Sequence, residues 1–453
     1  MRTTLLNPTV WLLTATAAAG AIGTLRRMTA RDSFQWLLRW ACAWPVLAAL
    51  VLMAGGGLAS RIALGYLSPG AYAREVVAAR TFVECRTLYG ADGGGAVAEW
   101  LAGSPATATP WKAVPGLPAC QATAVADRAH FFTNQAHTPM LLLAGVLLTR
   151  LGGGSAVHAA LLLLSLAAVA GMAAVLIDFA GIQWRSRLAV LVLAAVVGWQ
   201  PVLAGVKQGD AVLFAAALIA VAWLMLRRGR SVVAASLVAV AVCLTVPALG
   251  GLAGLTRSRA RAGALTVLLV IGAGGATEAI AGLGVVSGFH ETIGETAITY
   301  ANAMTNYAVL GRATVSGFGF PALMALLGLA GTCTWSARST NRSFGAFVII
   351  GMLLAPVLWS EHLALALVPG VTLLTVVLRR GSAAALMMWG MLMLSLSLPD
   401  GTSSDLTQLL PLHVTSGVVL PATSAGLIAL WGWVTFASMA PLEARETPLA
   451  VNT

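Results

Sequence analysis

The sequence predicts an all-α polytopic membrane protein, and three observations carry that prediction. Over 453 residues the mean hydropathy is +0.86. Hydrophobic residues make up 58% and charged residues only 9% of the chain, against about 25% charged in soluble globular domains. The apolar residues fall into runs close to the roughly 20 that a helix needs to cross a bilayer while satisfying its own backbone. Soluble enzymes, nucleic-acid binders and secreted disulfide scaffolds are thereby excluded, and five cysteines make neither a disulfide framework nor a metal cluster.

The net charge of +11 belongs to the same pattern. Of 27 basic residues two are lysines, Lys112 and Lys207. Most arginines stand in short clusters between apolar runs: Arg26 and Arg27, Arg185 and Arg187, Arg227, Arg228 and Arg230, Arg257, Arg259 and Arg261, Arg338 and Arg342, Arg379 and Arg380. Such spacing is expected of short cytoplasmic loops under the positive-inside rule.

Taken in order, spans are predicted at 5–24, 37–59, 156–181, 187–204 and 211–226. The first reads as a signal peptide or as a span followed by a cytoplasmic turn, and Met28 offers a second start. Two short helices, 231–245 and 247–256, form a hairpin broken at Thr245-Val246-Pro247. Further spans follow at 263–284, 316–334, 343–359, 362–378, 382–398 and 417–437. The run Pro139–Leu151 is too short to span and reads as a re-entrant or juxtamembrane helix. The domains are then 1–63 (N-terminal spans), 64–155 (extracytoplasmic loop and juxtamembrane helix), 156–437 (bundle) and 438–453 (cytoplasmic tail).

With the arginine clusters inside, the polar chemistry gathers outside. The largest outer piece, 64–138, holds Cys85 and Cys120, a pair placed to form a disulfide in an oxidising compartment; the alternative is two small packed side chains. The other outer pieces are Gly205–Asp210, the loop 287–315, Ser360-Glu361-His362 and 399–417.

Several of these segments carry a resemblance. Ala78-Ala79-Arg80 with Tyr89 looks like an "AAR…PYD" segment, and His137-Thr138-Pro139-Met140-Leu141 like "YPPL". Gly205–Asp210 looks like "LGQ-N", Thr245-Val246-Pro247 like "LK-TP", Asn302–Gly311 like "NQS", and Ala355–His362 like "SPISW-HH". In this order they resemble the GT-C class of integral-membrane glycosyltransferases. Within it the chain is similar to glycosyltransferase family 87, the polyprenyl-phosphate-dependent mannosyl- and arabinofuranosyltransferases of actinobacteria. The resemblance runs from about residue 66 to 380. It implies a GT-C-like bundle of about 12–13 transmembrane helices in the plasma membrane, with a large first extracytoplasmic loop and a juxtamembrane helix. The implied reaction moves a hexosyl or pentosyl group from a polyprenyl-phosphate sugar to a lipid-linked or glycan acceptor of the envelope, without cofactor or metal. The family's first-loop aspartate, nine residues before the arginine, falls on Ala71; its hairpin lysine falls on Thr245 and its second histidine on Leu363.

Such a transfer needs a base for the acceptor hydroxyl, positive charge or donors for the leaving phosphate and a path for the lipid. Glu75 is the nearest carboxylate to Ala71 and the first candidate base, although Arg74 and Arg80 also offer it an ion pair. Glu361 is the second, because a glutamate beside His362 between two apolar runs is costly to hold in hydrocarbon unless it works there. Lys207 is a phosphate ligand candidate, with Gln208 in the same turn, and Arg80, His362, Asn302 and Asn306 complete the candidate binding set. Tyr300 and Tyr307 share the loop of the two asparagines, which is otherwise read as a solvated connector. Two other functions stay open: a multi-pass transporter or flippase, and a catalytically inactive scaffold of envelope assembly.

Overall fold

The computed structural model describes residues 7–67, 138–209, 211–282, parts of 285–293, 307–309, 331, 335, 340–398, 412–415 and 418–439. Its elements are α1 (Pro8–Leu25), α2 (Ala30–Ala41), α3 (Trp44–Leu67), α4 (Pro139–Phe179), α5 (Arg187–Gly198), α6 (Gln200–Gln208), α7 (Val212–Arg227), α8 (Ser231–Leu244), α9 (Leu249–Ser258), α10 (Ala260–Ala281), α11 (Thr340–Leu354), α12 (Leu367–Arg380), α13 (Ala383–Ser395) and α14 (Ala422–Met439). Two 3-10 turns, Val246–Ala248 and Ser360–Ala366, interrupt them. A short two-stranded antiparallel hairpin, β1 (Leu412–Thr415) and β2 (Val418–Leu420), accompanies the helices and leaves the class all-α.

Among the described residues five helices are long and apolar enough to cross a membrane, or six if a bent pair counts as one span. That is fewer than the 12–13 expected, and part of the difference is length. Four apolar helices, α7, α8, α11 and α13, have only 13–16 residues, below the roughly 20 of a full crossing. The helices associate mainly as α1 with α13, α9 with α11, α7 with α4 and α8, α3 with α5, and α11 with α14. Small residues allow these approaches. A Cβ on Gly20 would lie 2.4 Å from the Met387 backbone nitrogen, and one on Gly390 would lie 2.9 Å from that of Ala17.

The arginine clusters gather where helices end together. One Arg228 guanidinium nitrogen donates to both Asp178 carboxylate oxygens, at 2.7 and 2.6 Å, joining the ends of α7 and α4. Arg187 stacks over Trp44 at 4.8 Å, joining the starts of α5 and α3. Thr29 pairs with Ser382 across the α1–α2 and α12–α13 turns, and Arg257 Nε donates to the Trp335 carbonyl at 2.6 Å. This is the arginine end of the bundle.

Three expected elements differ. Span 37–59 begins only at Trp44, because residues 30–41 form a separate amphipathic helix, N-capped by the Thr29 hydroxyl on the Asp32 N–H at 3.2 Å. Pro139–Leu151 is not separated from the following span: α4 runs through 41 residues, so the division at residue 155 falls inside a helix. Yet Leu141, Leu161 and Ala211 pack in one cluster, whereas a straight helix would hold the two leucines about 30 Å apart. The helix therefore changes direction between them, in a stretch containing Gly152, Gly153 and Gly154. The Thr138 hydroxyl fixes the start of α4 by donating to the Cys243 carbonyl.

The third difference is at 187–204, which breaks into α5 and α6 bent by 57°. Pro201 lacks an N–H and crowds the carbonyl four residues back, and Trp199 N instead bonds Val196 O at 3.2 Å. The Thr9 hydroxyl takes up the Ala195 carbonyl that the bend frees, at 2.6 Å. Cys42 and Cys243 are free thiols and half-buried, and Cys42 packs against the Leu47–Leu191 cluster.

Candidate functional site

Away from the arginine end, α6 and the 360–366 turn lie against one another, and both touch α7. Each owes its position to local sequence. Pro356 helps to end α11, since a proline cannot continue the hydrogen-bonded ladder, and the chain then runs extended to Trp359 before the 3-10 turn. At the other side, α6 closes on Gly209, whose φ of 65° is left-handed and whose N–H bonds Gly205 O at 2.9 Å.

Lys207 and Gln208 therefore lie in the last turn of a helix rather than in a free turn, and both are half-buried. A cation there is favoured by the helix carbonyls. The end of α3 closes on the same place, where a Cβ on Gly65 would lie 3.0 Å from the Lys207 carbonyl oxygen. Asp210, which shares this turn in sequence, lies outside the described residues.

Across from it, Glu361 is 7% exposed and Ser360 equally so. The Ser360 hydroxyl donates to Glu361 Oε2 at 3.3 Å. His362 is half-buried, and its Nδ1 accepts the Trp359 N–H at 3.2 Å. With Nδ1 accepting, the neutral ring carries its proton on Nε2 and presents a donor from the opposite edge. Lys207, Gln208 and the His362 Nε2–H are groups that can bind an anion or polar group, and Glu361 is a carboxylate of low exposure on the touching element.

The sequence-predicted residues divide unevenly. Lys207, Gln208, Glu361 and His362 sit on two elements in contact. Glu75, Arg80, Asn302, Asn306, Cys85 and Cys120 lie outside the described residues. Tyr307, expected among groups that bind sugar hydroxyls, is instead core: it is 1% exposed, its N–H bonds Leu358 O at 2.8 Å, and its carbonyl accepts the Ser424 hydroxyl at 2.9 Å. The chain at 307 is thereby tied to the strand leading into the 360–366 turn. Ser360 and Trp199 were not singled out from sequence. Trp199 Nε1 donates to Ser397 Oγ at 2.9 Å and pins the α5–α6 bend to the end of α13; Pro201 was the available signal for it.

A second feature is a largely apolar, partly open cavity of about 290 Å³, lined by α1, α2, α5, α12 and α13 with the end of α4 and running from Arg31 and Leu378 to Trp199 and Leu367. Fold and site together define a helical protein with a membrane-embedded bundle and a polar cluster at one end. Comparison with family models, with curated proteins and with solved structures finds no match.

Proposed function

We propose that the chain is a membrane glycosyltransferase that uses a polyprenyl-phosphate sugar as donor and an envelope glycolipid or glycan as acceptor, working at the end of the bundle away from the arginines. The observation that carries this reading is the packing of the 360–366 turn, with its buried Glu361, against the helix whose last turn holds Lys207. In the proposed reaction Glu361 accepts the proton of the acceptor hydroxyl, the hydroxyl oxygen bonds to the anomeric carbon, and the bond to phosphate oxygen breaks. Lys207 and the His362 Nε2–H hold the departing polyprenyl phosphate, whose charge such donors stabilise. Glu75, outside the described residues, remains the other candidate base. The first ten residues of α4, turned away from the rest of the helix, fit the juxtamembrane element that the family resemblance implies.

The test is incubation of the purified chain with a panel of polyprenyl-phosphate mannose and arabinose donors, reading sugar transfer and donor hydrolysis. Glu361→Gln keeps the shape and removes the base, so turnover should fall by about 10²–10⁴-fold. Wild-type turnover in that variant would remove Glu361 from the mechanism and leave Glu75 to test.

The 57° bend between α5 and α6 favours a second reading, a flippase for a lipid-linked sugar, since broken helices line the sites of many transporters. Movement of a labelled lipid-linked sugar across proteoliposomes, with no transfer or hydrolysis, would select it.

A further inference from the structure

α2 and the cavity behind it point to a site that the proposed reaction does not use. At 12 residues the helix is about 18 Å long, too short to cross a bilayer, and it carries Arg31, Asp32, Gln35 and Arg39. It buries Ala30, Ser33, Leu37 and Ala41 against the bundle. Its other face presents Trp36 and Trp40, 51% and 45% exposed, and Trp44 follows at 63%. Exposed indoles interleaved with arginines mark a helix lying in the headgroup layer.

The cavity wall is almost wholly apolar, and its polar groups have defined roles. The Thr9, Thr16 and Thr375 hydroxyls that line it are spent on the backbone carbonyls of Ala195, Leu12 and Thr372. Whatever fills the interior must therefore be apolar, since a polar group would lose its water without finding a partner. At about 290 Å³ the space is near the lower bound of about 300 Å³ for ligand pockets, suited to one alkyl chain. Arg31 and Gln35 also line it. Arg31 is exposed, so it stands where the cavity meets the surface, and no described acid pairs with it: the neighbouring Asp32 accepts the Thr29 hydroxyl at 2.6 Å.

We propose that this is a binding site for an anionic phospholipid of the leaflet at the arginine end, with one acyl chain in the cavity and the phosphate on Arg31 and Gln35. The headgroup contacts, Arg31 and Gln35, are not among the polar groups of the glycosyltransferase reading; the cavity's other wall reaches Trp199 and Leu367, so the test separates a phospholipid chain from a donor tail.

The experiment uses the full chain in phosphatidylcholine nanodiscs doped with phosphatidylglycerol that bears a photoactivatable acyl chain, against phosphatidylcholine bearing the same chain. The anionic probe should form adducts on inward-facing cavity residues such as Leu191, Val192 and Val371, in about fivefold excess over the neutral probe. That ratio corresponds to one arginine, at about 1 kcal/mol, beside a headgroup of net negative charge rather than a zwitterion. Arg31→Gln should bring the ratio close to one, and Arg31→Lys should keep most of it. Equal labelling of the wild-type chain by the two probes would overturn the proposal whatever the variants do. So would adducts confined to the exposed Trp36 and Trp40, and displacement by added polyprenyl phosphate would assign the cavity to the donor's tail instead.

Discussion

Lys207 illustrates how one side chain acquires a role from its surroundings. In the sequence it stands out as one of two lysines; in the fold it occupies a helix end, beside the closing point of α3 and across from the 360–366 turn. Replacing it with methionine keeps the stem and removes the charge. Donor affinity should weaken by about tenfold to a hundredfold, the value of a charge-assisted hydrogen bond of about 1.5–3 kcal/mol, with expression unchanged. Titration of a polyprenyl-phosphate sugar against wild type and Lys207→Met checks this, and equal affinities would free Lys207 from donor binding. Gln208 and His362 were legible as polar groups at span ends, but a residue name does not say that Tyr307 turns inward. That depends on Leu358 and Ser424, 51 and 117 positions away in the chain.

At the scale of elements, what could be read from sequence was what short-range chemistry decides. The break at Pro247 lies where expected, as the turn between α8 and α9, because proline stops a helix whatever surrounds it. The expected span 37–59 takes in the second half of α2, since Leu37, Leu38 and Trp40 raise its hydropathy, and only the neighbouring α1, α12 and α13 show which face is buried. The bend at Pro201 was hidden within an apolar run of acceptable length. Close approach between α1 and α13 gives a prediction at this scale. A Cβ at Gly20 meets backbone atoms of Ala383 and Met387 within 2.7 Å, and these cannot rotate away. Gly20→Ala should therefore destabilise the bundle by about 1–3 kcal/mol, whereas Gly56→Ala, with nothing within 4 Å, should not. Detergent-solubilised thermal unfolding of the two variants measures the difference, and equal midpoints would contradict the packing.

For the molecule as a whole, the arginine clusters set a direction. Contacts between helix ends, such as Arg228 with Asp178 and Thr29 with Ser382, bring several of those clusters to one end. The positive-inside rule predicts that this end faces the cytoplasm. In a single-cysteine background, an impermeant maleimide applied to intact cells should label His290→Cys, beyond the far end of α10, and spare Gln183→Cys, between α4 and α5. The opposite pattern would invert the orientation and place the Lys207–Glu361 cluster inside the cell. The expected polarity comes from charge counts, which need no tertiary contacts, and the labelling pattern decides it. Among the described residues fewer helices reach full-crossing length than expected, because hydropathy counts a 13-residue α13 and a 22-residue α10 alike.

The pairing of α1 with α13 also sets a timetable for assembly. Gly20 leaves the ribosome well before Gly390, its counterpart in the packed pair, and at about 5–20 residues per second the gap is roughly 20–70 s. Thr9 waits for Ala195 in the same way, for roughly half as long. Through that interval the glycine groove of α1 has only lipid to fill it, so insertion and assembly are separate events for this helix. A nascent chain halted before residue 383 should hold α1 in the membrane but leave it accessible to a membrane-soluble crosslinker at Leu13→Cys, beside the seat of Gly390, and synthesis through α13 should bury it.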